Sequence, residues 1–198
     1  MKKEDKFVLL WKYVGAYLAI AFPIIIFILC SVASRRVCIN YNGFSVDEKG
    51  NVYIGKMGEI YVIDSSGSSL DTFDVPTSRG YSFVVTKNNR ILLRAGEIVF
   101  TMDLQGNIIK REPTSERFIE RIPTICPKEI IAADGTVYRM ETHFLRTVIQ
   151  VQTGNKINQI YQMPLYDYIV TLLFTLIVVG SIVYISIIVF RIRHVLKN

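Results

Sequence analysis

The sequence predicts a membrane protein in which two transmembrane α-helices flank an all-β antiparallel domain of three four-stranded repeats. Three observations support this prediction. A long apolar run lies near each end of the chain, and the segment between the two runs is polar and patterned for β-structure. That middle segment also resembles itself at a spacing of about 39 residues, which is typical of repeat architectures.

Both apolar runs have the length of a membrane-spanning helix. The first covers Tyr13–Ala33 and the second covers Ile169–Phe190, and neither contains a charged side chain. A helix needs about 20 apolar residues to cross a hydrocarbon core of about 30 Å. We therefore predict transmembrane helices over residues 13–34 and 166–190.

The first run has an alternative interpretation as a cleaved signal peptide. Lys2 and Lys3 resemble the basic start of such a peptide, and residues 31–33 resemble a small-residue cleavage site. The apolar run is longer than the core of a signal peptide, which has about 7 to 15 residues, and this favours a retained helix. Cleavage would leave one helix and the same outside domain.

The basic residues that flank the apolar runs predict the orientation of the chain. Only Arg35 and Arg36 flank the inner end of the first run, whereas seven basic residues flank the outer ends of the two runs. Those seven are Lys2, Lys3, Lys6, Lys12, Arg191, Arg193 and Lys197. Because cytoplasmic flanks carry the excess of Lys and Arg, we predict that residues 1–12 and 191–198 are cytoplasmic tails. Residues 37–164 are then extracytoplasmic.

The charge of the middle domain argues against one class of partner. The whole chain has a formal charge of +6, but residues 37–164 contain 14 basic and 14 acidic residues. The excess therefore lies at the membrane flanks, and the domain has no basic stripe for binding phosphates. We predict no nucleic-acid partner.

The three repeats are predicted over residues 43–76, 80–111 and 128–163. In the first two, a hairpin is followed by a Gly-Glu pair, a third strand, a glycine turn and a fourth strand. The third copy is degraded but retains the hairpin and the two later strands.

The run Asp47–Ile54, together with the strand Ile60–Asp64 that follows it, resembles the repeats of six-bladed β-propellers of the NHL type. The resemblance implies antiparallel four-stranded blades and no particular activity. A closed propeller needs at least about four blades, whereas this chain supplies three. Two protomers would then share one six-bladed ring, or a partner would seal a partial propeller; alternatively, the hairpins stack as a compact sandwich.

Residues 112–127 interrupt the repeats with a charged segment that is bounded by prolines. Apolar residues at helical spacing predict one short amphipathic helix that starts near Thr114 or Ser115. These apolar residues are Phe118, Ile119 and Ile122. The segment either covers an open end of a sheet or docks a partner, as long insertions often do.

Two cysteines lie in the predicted outside domain, which is an oxidising setting. A disulfide between Cys38 and Cys126 would close a long loop and stabilise the fold by about 4 kcal/mol. The alternative is two buried free thiols, and the choice stays open because the sequence does not give the Cα separation. Cys30, in the first apolar run, is expected to be an inert small apolar residue.

No catalytic, cofactor or metal site is predicted. His143 and Glu141 share a strand face, but no third metal ligand is indicated, so surface polar residues are expected. Residues 64–71 weakly resemble a calcium loop but lack the alternating ligands, which favours a β-turn capped by Asp and Ser. We find no nucleophile elbow, phosphate loop or paired Cys and His in the sequence.

The apolar runs also carry small residues that predict close helix packing. Gly15 and Ala19 in the first run, and Gly180 and Ser181 in the second, are the predicted packing residues. The centres of the runs lack charged residues, which argues against transport by this chain alone.

The function predicted by elimination is that of a non-enzymatic interaction protein, an accessory subunit of a larger membrane complex. Its expected partners are further copies of itself, another membrane protein, or both. One alternative is an extracytoplasmic ligand sensor that acts through a separate cytoplasmic partner, because residues 191–198 are too few for an output domain. Another is an extracellular hydrolase, for which His143→Ala would abolish activity.

Overall fold

The computed structural model describes residues 3–33, 41–77, 80–115, 118, 120–123 and 126–197. Along the chain, one long helix precedes three antiparallel four-stranded sheets and a second long helix follows them. The chain divides into two compact units, one formed by the helical segments and the other by the β-domain. The prediction of an antiparallel β-domain between two helices is confirmed.

The structure has two long helices, and one of them contains a candidate membrane span. Helix α1 covers Lys3–Ala33 and continues through Pro23, and helix α2 covers Leu165–Lys197. In α2, the 23 residues Leu165–Ile187 are long and apolar enough to cross a membrane. In α1, the segment Tyr17–Cys30 is apolar.

The Ser and Thr hydroxyl groups in α2 are satisfied within the helix. Thr171, Thr175, Ser181 and Ser186 each donate a hydrogen bond of 2.7–2.9 Å to the carbonyl oxygen four residues earlier. In a bilayer core, which offers no water as a partner, polar groups must find partners inside the protein. These Ser and Thr side chains are therefore compatible with a membrane span, whereas the buried hydroxyl of Tyr184 has no hydrogen-bond partner among the described residues.

Each sheet is a meander of four successive strands. The first sheet contains β1 (Tyr41–Val46), β2 (Val52–Lys56), β3 (Glu59–Ile63) and β4 (Ser69–Asp74). The second contains β5 (Ser82–Thr86), β6 (Arg90–Ala95), β7 (Ile98–Met102) and β8 (Ile108–Pro113). The third contains β9 (Glu129–Ile131), β10 (Val137–His143), β11 (Arg146–Thr153) and β12 (Lys156–Gln162).

The first sheet lies between the other two, and both of its faces are buried. Alternating side chains of β2 divide between the faces, since Tyr53 packs with the second sheet whereas Val52 and Ile54 pack with the third. The first–second seam, which is the interface between those two sheets, contains Phe83 and Leu93 from the second sheet. The residues that the third sheet contributes to the first–third seam are Tyr138, Met140, Ile149 and Tyr161.

A glycine turn makes the same kind of contact at both seams. A Cβ atom added to Gly106, in the β7–β8 turn, would lie 2.5 Å from the ring of Phe73 on β4. A Cβ atom added to Gly67, in the β3–β4 turn, would lie 2.3 Å from the carbonyl oxygen of Ile160 on β12. In both cases the turn before the last strand of one sheet rests on the last strand of its neighbour. The sheets are therefore stacked in the order third, first, second.

The segment after β8 covers the outer face of the second sheet. Ile122 is fully buried there against Leu92 and Val99. Its N–H donates a 2.9 Å hydrogen bond to the carbonyl oxygen of Phe118, four residues earlier. This is the hydrogen-bond spacing of an α-helix, and it lies in the segment where the sequence predicts a short helix. The chain then reaches the first–second seam at Cys126 before it enters the third sheet.

Candidate functional site

A cavity of about 820 Å³ opens where the three sheets meet. The β1–β2 turn, the β5–β6 turn and the strands of the third sheet form its wall. Its apolar lining consists of Val46, Val85, Ile130, Val151 and Ile160, among others. This volume lies within the range of small-molecule sites, which are about 300 to 1,000 Å³.

The β1–β2 turn places Asp47 at the cavity. One carboxylate oxygen of Asp47 accepts hydrogen bonds of 2.9 Å from the N–H groups of Lys49 and Asn51. The other oxygen accepts a 2.8 Å hydrogen bond from the side-chain amide of Asn51. Gly50 completes the turn with φ +81°, a conformation that glycine adopts without steric cost. The carboxylate therefore holds the turn together.

The same turn recurs at Asp64 and Asp103. In each, one carboxylate oxygen accepts hydrogen bonds of 2.8–3.0 Å from the N–H groups two and four residues later. The Ser66 hydroxyl at Asp64 and the Asn107 amide at Asp103 are the largest causes that lower the pKa of these two carboxyls. Residues 64–71 thus begin with a capped turn, as the sequence favoured over a calcium loop.

Two tyrosines lie near the Asp47 carboxylate. Burial raises the pKa of Tyr53 to about 12, and the charge of Asp47, whose carboxylate accepts a 3.3 Å hydrogen bond from the phenol, adds to this. Burial also raises the pKa of Tyr138, which lines the cavity, with Asp134 and Asp47 contributing. Both phenols stay protonated at neutral pH, where they act as hydrogen-bond donors and not as bases.

The charges around the cavity are unequally available to a ligand. Asp134 is occupied by Thr136, whose N–H and hydroxyl donate hydrogen bonds of 2.9 and 3.0 Å to its carboxylate. The N–H bond is the largest cause that lowers the pKa of Asp134. Lys49 and Lys87 line the cavity and form no ion pair within the described part of the chain. Glu48 also lines the cavity and likewise forms no ion pair among the described residues, so the available charges are of both signs. The arrangement suits a small polar ligand with an apolar portion.

The histidine predicted as a surface residue lies at the end of β10. His143 Nε2 lies 2.8 Å from the carboxylate of Glu141, and both side chains are exposed. Among the described residues, no group of three or more His, Cys, Asp and Glu side chains is placed to hold a metal ion.

Cys126 is a free thiol buried in the first–second seam. Its sulfur accepts a hydrogen bond of 3.4 Å from the N–H of Phe83, and burial raises the pKa of the thiol. A Cβ atom at Gly43, where φ is +107°, would lie 2.1 Å from Cys126 Cβ, so only glycine fits there. Cys38 lies outside the described residues, and its pairing with Cys126 stays a prediction.

The three apolar residues predicted as a docking element have different positions. Ile122 is fully buried, and Phe118 is partly buried beside it on the second sheet. Ile119 lies outside the described residues. The burial of Ile122 favours the covering role of this segment over the docking role, because a partner cannot reach that side chain.

The helices contact each other through a larger side chain than the sequence predicted. The Tyr17 hydroxyl hydrogen-bonds to Ser181, and the Tyr17 ring stacks on Tyr184 with 4.7 Å between centroids. Of the four predicted packing residues, Ser181 therefore makes a contact. Gly15 and Ala19 are exposed, and no atom lies within 4 Å of a Cβ added at Gly15 or Gly180. The stacked rings fill the space that small residues were expected to close.

The last strand of each sheet forms an exposed edge that sequence reasoning did not single out. Among the described strands, β4, β8 and β12 each pair on one side only. Each also exposes a large apolar side chain: Leu70 is 54%, Ile108 is 52% and Ile157 is 60% exposed. Because unpaired edges offer backbone donors and acceptors, such strands accept further strands from other chains. We call these three strands the outer edges.

No family model matches the chain, and no curated protein matches it. Among solved structures, it is similar to a Bacteroides caccae protein described as of unknown function, with 11% identity and a TM-score of 0.32. The match covers 62% of this chain and 45% of that one, so the chain spans less than half the length of its neighbour. A TM-score this low defines neither fold nor function.

Proposed function

We propose that the protein is a non-enzymatic, membrane-anchored interaction protein that serves as an accessory subunit of a larger membrane complex. Both helices cross the membrane, both tails are cytoplasmic, and the β-domain lies outside. The apolar segment Leu165–Ile187 supports the anchoring. The excess of basic residues at the outer flanks supports the orientation.

The outer edges are the single observation that carries the docking role. Natural proteins usually protect edge strands with charges, prolines or covering loops. The outer edges do carry charged residues, such as Asp71 on β4, Lys110 on β8 and Lys156 on β12. Each nevertheless keeps a large apolar side chain exposed on a strand that pairs on one side only within the described residues. Such an edge recognises a partner through main-chain hydrogen bonds and selects it through the adjacent side chains.

The three sheets are, in this proposal, blade-like repeats of a partial propeller. The equivalent contacts of Gly67 and Gly106 at the two seams support a common packing rule. The partner at the outer edges is another membrane protein, a further copy of this chain, or both.

The test is the mass of the intact complex after extraction from the native membrane in mild detergent. We expect a stoichiometric complex with a second membrane protein for the wild type and its loss in Ile108→Lys, which places a charge on the edge of β8. Gln105→Lys, in the exposed β7–β8 turn, adds the same charge off the edge and should leave the complex intact. A monomeric wild type, or equal loss in both variants, would contradict the docking role.

The cavity favours a second candidate function, an extracytoplasmic ligand sensor. Its apolar wall and the donor phenol of Tyr138 suit a small polar molecule, and Lys49 and Lys87, which form no ion pair among the described residues, could bind an acidic group on it despite the nearby charge of Glu48. A panel of small carboxylates and phosphates should raise the melting temperature of the full chain if one of them fits. The rise should disappear in Lys87→Glu and remain in Lys110→Glu, which alters a lysine on β8; an unchanged melting temperature throughout the panel counts against the sensor.

A further inference from the structure

The turn between the second and third strands differs among the three sheets. In the first sheet the turn residues are Met57 and Gly58, and only Gly58 has positive φ, at +80°. In the second sheet the turn again relies on a glycine, Gly96, with φ +61°. In the third sheet the two turn residues are Phe144 and Leu145, with φ +44° and +68°.

Two bulky residues are therefore held where glycine or asparagine is favoured. A two-residue hairpin with positive φ at both positions strongly prefers Asn-Gly, because a Cβ atom crowds the backbone in this conformation. Such strain persists where a residue is needed for a reason other than the turn itself, and it collects at functional sites.

Packing inside the β-domain does not provide that reason for Phe144. Its side chain is 79% exposed, more than any other large apolar side chain in the described part of the chain. The turn therefore has two unfavourable contributions to its free energy: the strained backbone and the exposure of a phenyl ring to solvent.

The position of the turn in the third sheet indicates what covers the ring. Val148, two residues after β11 begins, pairs with Gln162 at the end of β12, and the N–H of Met163 donates to the carbonyl oxygen of Thr147 at 2.8 Å. The Phe144–Leu145 turn thus lies at the end of the sheet from which the chain leaves. Three residues after Gln162 the chain begins Leu165–Ile187, the segment apolar enough to span a membrane.

We propose that the Phe144–Leu145 turn is a membrane-interface anchor whose phenyl ring inserts among the lipids of the outer leaflet. Apolar and aromatic side chains near the end of a span bind the interface by burying area there. The third sheet would then contact the membrane at two places: at the β10–β11 turn, through the anchor, and after β12, where the chain enters the span. This inference rests on the proposed membrane anchoring.

Site-directed tryptophan fluorescence in lipid vesicles tests the anchor on the full chain. The single tryptophan, Trp11, is replaced by Phe, and the protein is reconstituted in phosphatidylcholine vesicles with or without brominated acyl chains. Phe144→Trp reports on the turn. Asn155→Trp, an exposed position in the β11–β12 turn at the opposite end of the third sheet, is the matched control, and Phe174→Trp reports on the span.

We expect brominated lipid to quench Phe144→Trp and Phe174→Trp about twofold and to leave Asn155→Trp unchanged. Iodide in the water should quench Asn155→Trp most strongly. Equal iodide quenching of Phe144→Trp and Asn155→Trp would overturn the anchor, as would shielding of Phe144→Trp from both quenchers, which indicates a protein contact. If Phe174→Trp is also unquenched by lipid, the membrane anchoring itself fails, and the anchor fails with it. Leu145→Trp repeats the measurement if Phe144→Trp does not fold.

Discussion

The two faces of the first sheet are both buried, but they are closed in different ways. The first–second seam is filled by side chains and crossed by hydrogen bonds, such as that from the N–H of Val85 to the Ser45 hydroxyl at 2.9 Å. The first–third seam opens into the cavity of about 820 Å³, which Val85 and Thr86 of the second sheet also line. A smaller cavity of about 340 Å³ is lined by residues of the second sheet such as Phe100. A sheet with two apolar faces thus packs against both neighbours and leaves the larger cavity toward the third sheet.

Removing one aromatic ring from each seam should give the largest difference in stability between the two seams. Phe83→Ala should lower the free energy of unfolding by about 3–5 kcal/mol, because Phe83 is almost fully buried and the substitution leaves a void. Tyr138→Ala should cost roughly 2 kcal/mol, since the loss enlarges a cavity that already exists. Urea unfolding of the detergent-solubilised full chain measures both. Equal losses would show that the seams are equally rigid.

The close approach of Cys126 to Gly43 tests how tightly the first–second seam is packed. Gly43→Ala should destabilise the β-domain by about 3 kcal/mol, because the new methyl group overlaps Cys126 and the backbone has positive φ. Gly135→Ala, where φ is +83° but no atom lies within 4 Å, should cost only about 1 kcal/mol and isolates the backbone effect.

Adding Cys126→Gly to Gly43→Ala removes the overlapping atom and should recover part of the lost stability. Thermal unfolding followed by circular dichroism measures the recovery. No recovery would mean that the cost comes from the backbone of Gly43 and not from the packing of the seam.

The equivalent turn glycines compare the seams at a finer level. Gly67→Ala should cost roughly 2–3 kcal/mol, because the new methyl group meets the backbone carbonyl of Ile160, which cannot turn aside. Gly106→Ala should cost less, about 1–2 kcal/mol, because the Phe73 side chain that it meets can change its rotamer. Both are measured by urea midpoints against Gly154→Ala, which meets nothing. A larger cost for Gly106→Ala would reverse this order.

The smallest expected effect on stability comes from the ionisation of Tyr53 at high pH. The pKa of Tyr53 is about 12 in the folded chain, above the ordinary value of 10, so the folded state binds this proton more tightly than the unfolded state. The resulting stabilisation is fully present below about pH 10 and is lost as pH rises toward about 12. Tyr53→Phe should remove this part of the pH dependence. An identical alkaline transition in wild type and Tyr53→Phe would exclude Tyr53 as its source.

Local pattern was sufficient for much of the fold and for little of the site. The capped turn at Asp64 follows from the chemistry of Asp, Ser and Gly within five residues, and α2 follows from a long uncharged run. The cavity was not predicted, because its wall combines the turn at Asp47 with strands that follow about 90 residues later, such as that of Tyr138.

The sequence by itself determined where strands, turns and helices lie, because these depend on periodicity and on side chains that act on their own backbone. Only the tertiary structure decided that the sheets stack as third, first, second, since that order depends on the fit of Gly67 and Gly106 against distant strands. It also decided that Tyr17 and not Gly15 joins the helices. In the same way it left Phe144 exposed and Ile122 buried, although both are apolar, because burial depends on which surfaces meet.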